Sequence, residues 1–115
     1  GNSGTVCRDM EIRFLRRGLV LQTYTDSHMQ VTSAALLSKE DVVIAISHSG
    51  ASVELLQSEN TAQKNGAKII AITSHGQSPL AKISHICLCA MGREVKYSSE
   101  ASASRLIQKK NKDIL

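Results

Sequence analysis

Two short aliphatic runs narrow the architectures open to this chain. Val42-Val43-Ile44-Ala45-Ile46 and Ile69-Ile70-Ala71-Ile72 contain no polar residue and no alternation. A strand with one face in water alternates apolar and polar side chains, so a strand without alternation needs cover on both faces, as in parallel sheets flanked by helices. Between the two runs, residues 53–65 fit a helix that stops at Asn65-Gly66. Strand, helix, strand in this order is the crossover unit of a parallel sheet.

The rest of the chain continues the alternation. Val6, Met10 and Phe14 recur every four residues, marking one face of a helix that Gly18 can end. Residues 19–24 read as a strand, 29–37 as a second helix and 38–41 as a polar break. Ser78-Pro79 places an N-cap before a first-turn proline, the start of a short helix. His85-Ile86-Cys87-Leu88-Cys89 reads as a last short strand, and a final helix is expected from Ala101 toward the C-terminus. The sum predicts a doubly wound α/β fold with a parallel sheet. Ligands of such sheets bind at the carboxyl ends of the strands, which here gather residues 25–28, 47–52 and 73–78.

Composition excludes more than it selects. With 115 residues the chain is one domain or part of one, and its 42% hydrophobic content builds an aliphatic core around one Phe and two Tyr without Trp. No run approaches the ~20 apolar residues of a membrane span, and no signal-peptide pattern opens the chain. The net charge of +4 is mild, and Lys109, Lys110 and Lys112 read as a solvated helix end rather than a nucleic-acid face. Cys7, Cys87 and Cys89 form an odd set without a C-x-x-C pair, which points to a reducing, cytoplasmic setting and to small buried hydrophobes. No His or Cys cluster has metal-ligand spacing, so neither a metal nor a cofactor is expected.

The chemistry concentrates in Ser47-His48-Ser49-Gly50-Ala51-Ser52, between the first aliphatic run and the helix. A helix N-terminus presents unpaired N–H groups and the positive end of its dipole, serine hydroxyls add donors, and glycine lets the backbone approach an anion closely. This turn therefore suits a small phosphorylated molecule. Ser47 and Ser49 are the leading phosphate contacts. Ser52 is a contact or only the N-cap, and Gly50 serves the conformation. His48 lies between the serines and is either a ligand contact or a residue facing away from them. His28, at a helix start after Ser27, is within reach of the same sheet end, where a helix N-terminus favours a neutral imidazole. His75 reads as a loop residue and His85 as a strand-edge residue.

Several stretches together resemble a known family: Tyr24-Thr25-Asp26-Ser27-His28-Met29-Gln30, residues 41–50, Ala71-Ile72-Thr73-Ser74 leading to Ser78-Pro79-Leu80-Ala81, and Ala103-Ser104-Arg105. The chain is similar to a sugar isomerase (SIS) domain and, more narrowly, to the C-terminal sensing domain of RpiR-type bacterial transcription regulators. The resemblance implies a flavodoxin-like, three-layer α/β/α sandwich that binds a phosphorylated sugar, with Ser47, Ser49 and Ser52 on the phosphate. It matches Ser3, within Gly1-Asn2-Ser3-Gly4, to the family's first ligand loop. In the family that loop follows a first, central strand, whereas here it opens the chain. The resemblance thus implies one SIS domain over residues 1–115, cut just after the first strand, with the DNA-binding helix-turn-helix domain outside this chain. In a sheet of order 2-1-3-4-5 such a cut leaves two strands without backbone partners, so a longer parent chain is expected. A homo-oligomer is expected as well, although the polar residues 109–112 depart from the apolar helix that members use for packing.

Two functions compete. A sensing module of a regulator of carbohydrate metabolism needs a phosphosugar site, no catalytic residue and no membrane, and meets DNA only through its separate domain. The alternative is a sugar-phosphate isomerase interconverting aldose and ketose. In SIS isomerases an acidic residue near the start of a late helix can act as base, and Glu100 lies in that region; His28 is the other candidate. A helix-capping role for Glu100 is favoured, with sugar-hydroxyl contact second. A lyase or etherase acting on an amino-sugar phosphate ranks below both.

Overall fold

The computed structural model describes residues 2–89 and 101–106. In chain order it forms α1 (Asn2–Arg16), β1 (Leu21–Tyr24), α2 (Ser27–Ala34), β2 (Asp41–Ser47), α3 (Val53–Lys64), β3 (Lys68–Thr73), α4 (Pro79–Ile83), β4 (Ile86–Cys89) and β5 (Ala101–Leu106). The two aliphatic runs are β2 and β3, paired in parallel from Val42↔Lys68 to Ser47↔Thr73. β4 adds in parallel on the far side of β3.

Helix ends follow local chemistry. Asp26, Ser52 and Ser78 cap α2, α3 and α4, each side chain accepting an N–H three residues on. At the other end of α3, Gly66 takes φ +90°, a left-handed conformation that costs glycine little. Ala67 N–H then donates to Ala62 O at 3.1 Å and Gly66 N–H to Gln63 O at 2.9 Å, the paired bonds of a Schellman stop.

Side-chain alternation along β2 sorts the core into two halves. Ile44 and Ile46 face α1 and pack with Leu21, Met10 and Phe14. Val43 and Ala45 face the other way. Val43 joins Ala34, Leu37, Ala62 and Ala67 under α2 and α3, and Ala45 joins Leu55, Ala71 and Leu80 under α3 and α4. With α1 on one face and α2, α3 and α4 on the other, the molecule has the expected three layers.

Two expectations are corrected here. The segment from Ala101 is not a helix: it is β5. The sheet is also not wholly parallel, because its order is β1-β5-β2-β3-β4 and β5 runs antiparallel to both neighbours. The physical reason is a vacancy. β1 and β2 run in the same direction with room for one strand between them, and β2 is buried at every residue but the half-buried Val42, so its free edge needs backbone partners. Ala101-Ser102-Ala103-Ser104 has no apolar stripe of helical period to hold a helix on the sheet, and it fills the slot as a strand. Arg105, read from the sequence as a residue of that helix, pairs in register with Leu21 and Val42.

Candidate phosphate-binding site

Ser47 is the last residue of β2, at the carboxyl end of the parallel strands, and is fully buried. Its Oγ accepts the Gly50 N–H at 2.8 Å, folding the chain back on itself. Gly50 makes the fold-back possible with φ +67°. Ser49 Oγ accepts the Ala51 N–H at 3.1 Å, and Ser52 Oγ accepts the Leu55 N–H at 3.4 Å. Each hydroxyl is used as an acceptor and keeps its own proton to donate. The N–H groups of Ser49, Ser52, Val53 and Glu54 have no acceptor among the described residues. Hydroxyl protons, free amides and the positive end of the 12-residue α3 therefore share one turn, an arrangement that can hold a doubly charged phosphate. Ser49 is exposed and Ser52 half-buried, whereas Ser47 braces the turn from beneath.

The outer side of the turn is closed. The His48 ring meets the next loop, with Nδ1 2.9 Å from Ser74 Oγ and the ring edge-on to His75 at 5.7 Å between centroids. His48 O accepts from Thr73 Oγ1–H and from Ser74 N–H, both at 3.2 Å, and Gly50 O accepts from Leu80 N–H at 2.9 Å. Gly50 packs so tightly that a Cβ there would stand 2.2 Å from Ser78 Oγ and 3.0 Å from Thr73 Oγ1. Thr73 and Ser78 were legible in the sequence only as a strand end and a helix cap. Their contact with Gly50 joins loops far apart in the chain and leaves no local signal.

The remaining candidates sit at varied distances from this turn. His28 is exposed in the first turn of α2. It follows β1 at the same sheet end as Ser47, and β5 lies between β1 and β2, whose axes are therefore about 10 Å apart. Ser3 lies in the first turn of α1 rather than in a loop, which corrects the sequence expectation. Its height is recoverable from the register: Thr23 and Ile44 both pair with Ala103, and Thr23 Oγ1 donates to Glu11 of α1. Climbing α1 from Glu11 to Ser3 adds about 12 Å, and β2 from Ile44 to Ser47 adds about 10 Å. Helix α1 thus starts level with the serine turn. Glu100 lies outside the described residues. His85 is committed elsewhere, its Nδ1 accepting the Ile69 N–H at 3.1 Å. Among the described residues no group of three or more His, Cys, Asp or Glu could hold a metal ion, and no helix is long and apolar enough to cross a membrane.

An α/β sandwich with a serine-glycine turn capping the helix after a buried strand can be compared with known proteins. The SIS domain family model matches residues 1–106: the chain belongs to the SIS domain family. It is 37% identical over 108 residues to the HTH-type transcriptional regulator RpiR of Escherichia coli K12, covering 94% of this chain and 36% of that protein. An uncharacterized HTH-type transcriptional regulator of Caldanaerobacter subterraneus is 42% identical over 113 residues, covering 98% of this chain and 40% of the relative. The bifunctional protein glk of Paraburkholderia xenovorans is 42% identical over 115 residues, which is 18% of its length. The chain therefore spans well under half of each of these relatives. Among solved structures, the Vibrio vulnificus NanR protein complexed with ManNAc-6P superposes with a TM-score of 0.57 at 29% identity, over 60% of this chain and 26% of that one.

Proposed function

We propose that this SIS domain is the phosphosugar-binding, effector-sensing module of a cytoplasmic transcription regulator of carbohydrate metabolism. The observation that carries the reading is the turn at residues 47–52, where serine hydroxyls and unpartnered amides meet the N-terminus of α3. The RpiR-type relatives and the sugar phosphate held by NanR support it. In this reading Ser47, Ser49 and Ser52 hold the phosphate. Gly50 shapes the turn, and His28 and the start of α1 with Ser3 border the sugar. DNA is read by a helix-turn-helix domain outside residues 1–115, and the regulator works as a homo-oligomer. The sugar phosphate shifts the regulator only by its differential affinity for two arrangements of the domains.

Sensing needs a phosphate site and no acid–base pair, so it is favoured over an isomerase using Glu100 or His28 as base. The test is calorimetric titration with a panel of sugar phosphates, ManNAc-6P included, beside the unphosphorylated sugars, with NMR of the same mixtures after incubation. Saturable binding that requires the phosphate, with the sugar recovered unchanged, is expected. Conversion of a sugar phosphate, abolished by Glu100→Gln, refutes the sensing role in favour of the isomerase. Binding indifferent to the phosphate refutes both.

A further inference from the structure

We propose that Thr73 and Ser74, at the end of β3, are positioning residues that hold the serine turn in its anion-binding shape. The inference rests on the phosphate reading of residues 47–52 and assigns those two residues a part in it. Every bond that ties the outer side of the turn comes from this segment or the helix after it. Thr73 Oγ1–H and Ser74 N–H both donate to His48 O at 3.2 Å. Ser74 Oγ meets His48 Nδ1 at 2.9 Å, and Leu80 N–H donates to Gly50 O at 2.9 Å. Thr73 is fully buried, and its hydroxyl does two jobs: it donates to His48 O and accepts the His75 N–H at 3.3 Å. One hydroxyl therefore joins two loops.

With the carbonyls of His48 and Gly50 held against β3 and α4, the N–H groups of Ser49, Ser52, Val53 and Glu54 are left without an acceptor among the described residues and are available to an anion. Such a turn does not have to be ordered by its ligand, and affinity is gained by that preorganisation. His48 is then a part of the clamp: its ring is docked on Ser74 and His75.

The test compares Thr73→Val, Thr73→Ser and Ser74→Ala with the wild-type chain. Valine keeps the volume and removes the hydroxyl, and His48 O retains the Ser74 N–H, so the fold survives with a looser turn. Serine restores the hydroxyl. The first readout needs no ligand: hydrogen exchange at Gly50 and Ala51 is faster in Thr73→Val and Ser74→Ala and near wild-type in Thr73→Ser. The second is titration with inorganic phosphate, followed by amide NMR shifts at residues 49–54 well below the melting temperature of each variant. The loss of one positioning bond is expected to weaken phosphate binding about fivefold to tenfold in Thr73→Val, with recovery in Thr73→Ser. A purely structural role lowers the melting temperature of Thr73→Val and leaves its phosphate affinity at the wild-type value, and that result overturns the proposal. Failure of the underlying reading looks different: no phosphate-dependent shift appears in the wild-type chain, while the exchange rates still rank the variants.

Discussion

Gly50→Ala separates the geometry of the turn from its chemistry, because it removes no hydrogen-bonding group. Two costs are legible in the structure. Gly50 has φ +67°, and a residue with a Cβ there loses about 1–2 kcal/mol. The added methyl also stands 2.2 Å from Ser78 Oγ, 2.6 Å from Ser78 Cβ and 3.0 Å from Thr73 Oγ1. Ser78 and Thr73 are themselves buried, so the site has nowhere to expand, and overpacking of this kind costs about 1–3 kcal/mol. The sum, about 2–5 kcal/mol, is a large share of the ~5–15 kcal/mol that holds an ordinary domain together. For a chain of this size it lowers the melting temperature by about 10–20 °C. Thermal unfolding followed by circular dichroism measures it, with Gly66→Ala as the internal control. Gly66 also has positive φ, at +90°, but its added Cβ would come no nearer than 3.1 Å to Lys39 Cβ and 3.3 Å to Lys39 Cα, a contact that a shift of a few tenths of an ångström in the exposed Lys39 loop relieves. The control therefore pays little beyond the backbone cost of about 1–2 kcal/mol. Adding Ser78→Ala to Gly50→Ala recovers part of the loss, since Ser78 Cβ remains in the way. A Gly50→Ala chain that melts with the wild type, or no lower than Gly66→Ala, refutes the steric argument.

Three further outcomes are expected. Ser47→Ala leaves the buried Gly50 N–H without its partner and destabilises the chain by about 1–3 kcal/mol in urea unfolding, with a weaker response to any sugar phosphate. Ser52→Asp keeps an N-cap acceptor for the Leu55 N–H, so stability stays near wild type, while the new charge beside the bound phosphate weakens binding by at least about tenfold in calorimetry; Ser52→Ala instead costs about 1 kcal/mol of stability. A chain ending at residue 100 lacks β5, the strand that pairs with both β1 and β2, and is expected to lose its cooperative thermal transition.

What the sequence revealed was local. Strands β2 and β3 show as aliphatic runs, α3 shows between Ser52 and Gly66, and the caps at Ser52 and Ser78 show as residue types in the right places, because each depends on neighbours within a turn or two. The stretch now seen as β5 had no such signal. Its small residues favour neither period, and its state is decided by a slot between β1 and β2 that only the assembled sheet creates. Nothing local to residues 101–106 indicates that they lie between β1 and β2 and run opposite to both. The site divides in the same way. The serines and Gly50 are read from one hexapeptide, whereas Thr73 and Ser78 enter through packing between distant loops, and Ser3 moved from a loop to a helix because its α1 neighbours continue the helical pattern back to Asn2.

The central claim is that the turn at residues 47–52 holds the phosphate of a sugar phosphate. The most direct measurement is thermal unfolding of the wild-type chain and of a Ser47→Ala/Ser49→Ala variant against a panel of sugar phosphates and their unphosphorylated sugars. The account predicts that at least one sugar phosphate raises the wild-type melting temperature, increasingly with concentration above its dissociation constant, that the matching sugar does not, and that the double variant loses the response. An equal response in the double variant, or none from any sugar phosphate in the wild type, contradicts it.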